Sequence, residues 1–330
     1  MKNDKEKNRI IPHLWANIDF EKLREDHYKE EIENPNNYSF WYPKVKGCGI
    51  KMVNSWIFKF SFEEWKTLES IEEVDSREKA LIFLKEKIEG NKEIKKGRLY
   101  NIKNGAFSNK FNANDCFSNY YDIPRKFLNI QYAGMCYDAD GTSEMVIREI
   151  IPYDEDKTPT IYNGLPLRPE FRAFVDFDTN KVLYIVNYWD YDYCYNHLCK
   201  TDKIIFDYMK KTLKREFENN KNNVVKLIKE NLIEYNRKNE NKLIGIWSVD
   251  IMKSDNDYYL IDMALGYQSA YYDYEKIRKE KMKNERKRWH ENDIFTKYCM
   301  FNSIYYFIYF LWKMVDSIVQ CFVLRIFWNK

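Results

Sequence analysis

Two strand-like runs flanking a tight turn constrain this chain more than any other feature. Residues 245–252, GIWSVDIM, and 258–264, YYLIDMA, are rich in β-branched and aromatic residues, and 253–257, KSDND, has turn composition. The pattern predicts a hairpin with Asp250 and Asp262 near the outer ends of its strands, which the short turn would bring side by side. Two neighbouring carboxylates can hold one Mg²⁺, which takes one or two carboxylates together with phosphate oxygens and water. Read without its surroundings, the pair is also what two solvated strand-end aspartates look like.

Other strands follow from the same alternation. Residues 143–151, 171–177 and 181–188 have strand composition, and the last two are joined by the turn Asp178-Thr179-Asn180. Helical periodicity marks 62–90, with Asp75 as an N-cap and Glu78 three residues on, then 202–238 and the charged stretch 270–295. A helix-like connector leads to about residue 132, and residues 1–40 are polar enough to be a surface extension. The expected class is α+β with antiparallel sheets, and 330 residues suffice for two lobes.

Charge excludes some partners. The 54 basic and 51 acidic residues leave a net +3, without the excess that phosphate-backbone binders carry, so no nucleic acid is expected. The basic runs 278–281 and 286–288 are interleaved with Glu and read as a solvated helix face. Cysteine is present in odd number, seven, at irregular spacing. With a charged opening stretch unlike a secretory leader, reduced thiols and a cytoplasmic location are expected. Cys194, His197 and Cys199 read as thiols beside a loop histidine rather than as a zinc knuckle. The aromatic tail 298–328 has its apolar run broken by Lys313 and Asp316. It is expected to pack as a helix on the body or on a partner, with membrane contact the less favoured reading.

Three further groups bear on chemistry. Lys103 precedes the Gly/Ser/Asn loop 104–110, which ends in Lys110. A lysine at a strand end and exposed loop amides suit a phosphate, although the Walker A order is missing. Arg148 and Arg172 lie in strands where charged residues alternate with apolar ones, beside Glu149 and Glu170. Such residues call for a polar cleft, or for Arg–Glu pairing within the sheet.

Taken in order, PKVKGCGI at 43–50, IKNGAFSNKF at 102–111, VIREIIPY at 146–153, PEFRAFVDF at 169–177, and WSVDIM with YLIDMA at 247–264 resemble the ATP-grasp superfamily. Within it they resemble the divergent cell-division-cycle D123-like clade, which contains the eukaryotic assembly factor of translation initiation factor two. The resemblance spans about 220 residues. It implies two α+β lobes with antiparallel sheets clamping ATP. Lys44, Lys103 and Lys110 would face the nucleotide, and the 104–110 loop would be a flexible cover. The backbone of Glu149, Ile150 and Ile151 would read the adenine edge, with Glu170 nearby. Arg148 and Arg172 would be the catalytic arginines, and Asp250 and Asp262 the Mg²⁺ ligands. The implied domains are an extension at 1–40, N-terminal and small lobes at 41–135, a large lobe at 136–295 and the tail at 296–330. The implied reaction is ATP-dependent joining of a carboxylate to an amine through an acylphosphate, on an unidentified peptide or protein. A non-catalytic ATP-binding assembly factor and a kinase are the alternatives. One departure stands out: Ala264 occupies the place of an asparagine that completes the metal shell in the clade, and Gln268 is the nearest substitute.

Overall fold

The computed structural model describes residues 19–69, 74–136 and 143–282. Contacts divide the chain into two compact units, Met1–Tyr272 and Asp273–Lys330. In the first unit come helices α1 (Phe20–Glu33) and α2 (Tyr38–Val45), strand β1 (Ser55–Lys59), helices α3 (Phe62–Glu69) and α4 (Val74–Glu89), and strands β2 (Leu99–Asn104) and β3 (Phe117–Asn119). Helix α5 (Ile123–Cys136) and strands β4 (Glu144–Glu149), β5 (Thr160–Ile161), β6 (Leu165–Pro166), β7 (Glu170–Asp176) and β8 (Lys181–Asn187) follow. Helix α6 (Lys200–Leu227) runs on through a π-helical stretch, Ile228–Ile233, to Lys238, and strands β9 (Ile246–Ser254) and β10 (Asp257–Leu265) complete the unit.

Two antiparallel four-stranded sheets carry the architecture, in the orders β1-β4-β2-β3 and β10-β9-β7-β8. Period-two alternation gives each sheet an apolar and a polar face. In the first sheet Tyr100, Ile102, Met145 and Ile147 pack into a core with Trp65 of α3, Leu84 of α4 and Phe127 of α5, while Asn101, Lys103 and Arg148 take the other face. In the second, Phe171, Ala173, Val175, Val249 and Ile251 pack against Trp41 of α2, Val224 of α6 and its continuation at Ile228 and Leu232. Glu170, Arg172, Asp250 and Asp262 take the opposite face. The expected α+β class with antiparallel sheets is what the chain forms.

Several sequence expectations are corrected in detail. The boundary at 135/136 cuts the first sheet, because β4 inserts between β1 and β2 and buries its apolar face there. The region 62–90 is two helices, and Asp75 stands inside the first turn of α4, where a negative charge favours the N-terminal dipole, rather than at the cap. The connector towards residue 132 contains the short strand β3 before α5. Asp250 and Asp262 sit mid-strand, not at strand ends, because β9 and β10 run up to a two-residue turn whose Asp255 has φ +52°. Of the two thiols read as lying beside a loop histidine, Cys194 is buried, with Sγ 3.6 Å from the Tyr271 hydroxyl, and Cys199 is exposed.

The turn that follows α2 shows how closely backbone can approach helix. Gly47 and Gly49 have φ of +94° and +90°, and a Cβ on Gly49 would stand 2.6 Å from Asn231 Oδ1 in the π-helical stretch. Glycine is required there by both conformation and space.

In the second unit, helix α7 (Tyr274–Met282) is described, with Asp273 Oδ1 accepting from Lys276 N at 2.8 Å. The remainder of the expected helix 270–295 and the tail 298–328 lie outside the described residues, as do residues 1–18. Among the described residues no helix is long and apolar enough to cross a membrane.

Candidate functional site

The polar faces of the two sheets meet at β10. Lys103 Nζ lies 3.0 and 3.2 Å from the two carboxylate oxygens of Asp262. The Arg148 guanidinium donates Nη1–H to the carbonyl of Ile261 at 2.7 Å, and its Nε and Nη2 donate to Asn101 Oδ1 at 3.1 and 2.6 Å. Tyr38 of α2 packs beneath both cations, its ring centroid 5.8 Å from Lys103 Nζ and 5.7 Å from Arg148 Cζ. Burial pushes the Lys103 ammonium below the usual lysine range, against the pull of Asp262. The same cause raises the Tyr38 phenol to about 12.

A β-bulge places Asp262. Leu260 pairs with Ile251, yet Asp262 pairs with Asp250, so Ile261 is an extra residue in β10. Leu260 and Met263, three apart, both reach the core as a result, and Asp262 emerges on the polar face opposite Asp250.

Beside this pair, Arg172 faces Asp250 directly across β7 and β9. Its Nε and Nη2 donate to the two Asp250 oxygens at 2.7 and 2.6 Å, a bidentate pair, and Nη1 donates to the Ala270 carbonyl at 3.3 Å. Burial alone would lower the Arg172 pKa, but the Asp250 charge and hydrogen bonds raise it. Tyr188 lies between two cations, with Lys110 Nζ 3.8 Å and Arg172 Cζ 4.8 Å from its ring centroid. Glu170 is buried beside them. Burial pushes its carboxyl up to about 7, opposed by Lys110 and reinforced by Asp250.

Thus Lys103, Lys110, Arg148, Glu170, Arg172, Asp250 and Asp262 come together, while other expected residues do not. Lys44 hydrogen-bonds Asn241 and lies over the Phe40 ring 4.7 Å away, sharing neither partner with the cluster. The Glu149 side chain lies on the opposite face of its sheet, where it accepts from Asn54 at 2.9 Å and pairs with Arg98 at 3.4 Å. Its N–H donates to the Asn54 carbonyl, and the Ile151 carbonyl accepts from Arg168. Glu149 and Ile150 line a cavity of about 460 Å³ with Arg98, Tyr100 and Tyr153, none of which belongs to the cluster. The Gln268 side-chain oxygen accepts from Asn36, a residue outside the cluster.

The 104–110 loop is tied down rather than a free cover. A Cβ on Gly105 would stand 2.6 Å from both Asn37 Oδ1 and Glu144 Oε1, and its carbonyl accepts from Tyr38 N at 3.1 Å. Asn109 takes a left-handed φ of +48° and donates to Asp115, which also accepts from Asn112 and Asn129. Asn101, Tyr38 and Tyr188 escaped the sequence reading. Asn101 had a signal, since it lies two residues before Lys103 and therefore shares its face.

The donor set suits a hard divalent cation: two carboxylates facing each other across adjacent strands, with cations beside them. The Asp262 side chain is 37% exposed against 1% for Lys103, so one side of that carboxylate stays open. Asp250 is 6% exposed and both its oxygens accept from Arg172, so a cation there must share or displace those bonds.

No protein-family profile matches this chain, and no curated protein matches it in sequence. Among solved structures it is similar to C-terminally truncated Cdc123 from Schizosaccharomyces pombe, at 13% identity over 70% of this chain and 84% of that one, with a TM-score of 0.41. A second structure of Cdc123 from the same organism shares 14% identity over 74% of this chain and 90% of its own, with a TM-score of 0.39. D-alanine–D-alanine ligase from Bacillus anthracis shares 13% identity over 69% of this chain and 55% of its own, with a TM-score of 0.27. What the site can do follows from its own side chains.

Proposed function

We propose that the cluster at the meeting of the two sheets binds ATP with Mg²⁺. The observation that carries this reading is the facing pair Asp250 and Asp262, each already matched to a cation, Arg172 and Lys103, on one continuous polar surface. When bound, Mg²⁺ would supply charge neutralisation for phosphate oxygens, with Asp250 and Asp262 as its protein ligands. Lys103, Arg148, Arg172 and Lys110 would hold the phosphates, Arg172 with the planar fork that suits an oxyanion. Binding is then an exchange of partners, in which each carboxylate passes from a side-chain cation to the metal and each cation passes to a phosphate.

The finer reading is ATP-dependent ligation of a carboxylate to an amine on a peptide or protein. The carboxylate oxygen would attack the γ-phosphorus and release ADP, and the amine would then attack the acyl carbon and release phosphate. The chain's part is positioning and electrostatic stabilisation. A second reading, an ATP-binding assembly factor without turnover, is favoured by Ala264 and by Gln268 being held on Asn36. Thermal-shift titration with ATP and Mg²⁺ tests the site. Wild type is expected to be stabilised, and Lys103→Ala and Asp262→Asn are expected to lose the response. No response in wild type overturns the proposal, and release of ADP and phosphate with an added acceptor separates the two readings.

A further inference from the structure

Helices α1 and α3 bring together a group that shares no residue with the nucleotide cluster. His27 and Glu31 stand at i and i+4 on α1, the spacing that puts two side chains on one helix face. Glu69 comes from the last residue of α3. One ligand atom from each, an imidazole nitrogen and two carboxylate oxygens, lies within 4.8 Å of the others.

The state of Glu31 points to a ligand. Its side chain is 2% exposed, and Oε1 is buried without a hydrogen bond, although His27 Nε2 approaches to 3.2 Å. That approach is an ion pair: against the lowering effect of burial, the Glu31 carboxylate holds the His27 imidazole above its usual range. The other oxygen, Oε2, accepts from the Trp65 indole N–H, which fixes the carboxylate plane and leaves Oε1 directed at His27. The His27 ring is in turn set edge-on to Trp65, with centroids 5.7 Å apart at 66°. A carboxylate held through one oxygen by a neutral donor, with the other turned to an imidazole, is how outer hydrogen bonds orient metal ligands. Such an oxygen, ion-paired to His27 but without a hydrogen bond, keeps a lone pair for a cation.

We propose that His27, Glu31 and Glu69 bind a divalent transition-metal ion, with zinc the best fit. The imidazole nitrogen separates this set from the oxygen-only donors that Mg²⁺ prefers, and a mixed nitrogen and oxygen set suits zinc. Three protein ligands leave a position for water, and His27, a quarter exposed, opens the path from solvent. The ion would pin α1 to α3, joining the start of the described chain to the core of the first sheet.

Equilibrium dialysis of the full chain against Zn²⁺ at neutral pH tests this, with wild type compared to His27→Gln and Glu69→Gln. Wild type is expected to retain one equivalent more than either variant, and Zn²⁺ to raise its Tm more than theirs. Far-UV circular dichroism should match in all three, which guards against misfolding. Equal zinc content and equal Tm shifts in wild type and both variants overturn the proposal. Co²⁺ spectra give a second measurement: visible bands lost in both variants support the site, and a thiolate charge-transfer band as the sole signal assigns the ion to cysteines and overturns it.

Discussion

Lys103 and Asp262 join the two sheets through contacts of 3.0 and 3.2 Å, and they are unequally buried, the lysine 1% and the aspartate 37% exposed. Removing one partner is therefore not equivalent to removing the other. Asp262→Asn leaves a buried ammonium with only the weaker charge of Glu144, and the expected cost is about 3 kcal/mol, the low end for buried pairs. Lys103→Met leaves a carboxylate that water can reach, and the expected loss is about 1 kcal/mol. Urea denaturation should place Asp262→Asn well below Lys103→Met; the reverse order would contradict the burial asymmetry.

Glu170 gives the fold a pH dependence of unusual sign. Its carboxyl is raised from 4.5 to about 7 by burial, against the Lys110 charge. The folded state therefore holds the proton more tightly than the unfolded state between those values. Folding stability falls as pH rises through that window. Glu170→Gln should flatten this part of the profile, and denaturation at pH 5 and pH 8 should show a smaller difference for the variant than for wild type.

Tyr188 holds Lys110 and Arg172 on its ring, at 3.8 and 4.8 Å. Each cation–π contact contributes roughly 0.5–2 kcal/mol depending on desolvation. Tyr188→Leu is expected to weaken Mg-ATP binding by about tenfold, because about 1.4 kcal/mol of orientation is lost. Tyr188→Phe keeps the ring and should bind like wild type. Isothermal titration of both variants checks this, and equal weakening in the two would assign the effect to the hydroxyl.

At Gly49 the strain is local. Gly49→Ala meets a φ of +90° and an Asn231 oxygen at 2.6 Å, and a destabilisation of about 1–3 kcal/mol is expected. Adding Asn231→Ala relieves the clash but not the backbone, so the double variant should recover part of the loss in a melting experiment. Full recovery would place the whole cost in the clash.

Much of this was legible in the sequence where the signal is local. Alternation within 171–177 and 181–188 and the turn at Asp178–Asn180 located β7 and β8 to within a residue at each end. Charged residues set among apolar ones pointed Arg148 and Arg172 to a polar cleft, while Lys103 was legible only as a strand-end lysine before its loop. Non-local pairing was not legible: nothing near β4 tells that it inserts between β1 and β2, and the 135/136 boundary failed for that reason. The loop after Lys103 looked free because its restraints come from elsewhere, Glu144 and Asn37 against Gly105 and Asp115 beneath Asn109. The bulge did leave a trace, since Leu260 and Met263 are apolar at a spacing of three where a regular strand would require two or four.

That bulge bears on how the site should be probed. Ile261 has no counterpart in the β9–β10 register, and its carbonyl receives Arg148 from the first sheet at 2.7 Å. A backbone oxygen survives any side-chain replacement, so alanine scanning across β10 would pass over this contact without a signal. Deleting Ile261 would still leave an aspartate facing Asp250 while removing the oxygen that Arg148 grips. Within β10, changes in chain length rather than in residue identity are what would reveal it.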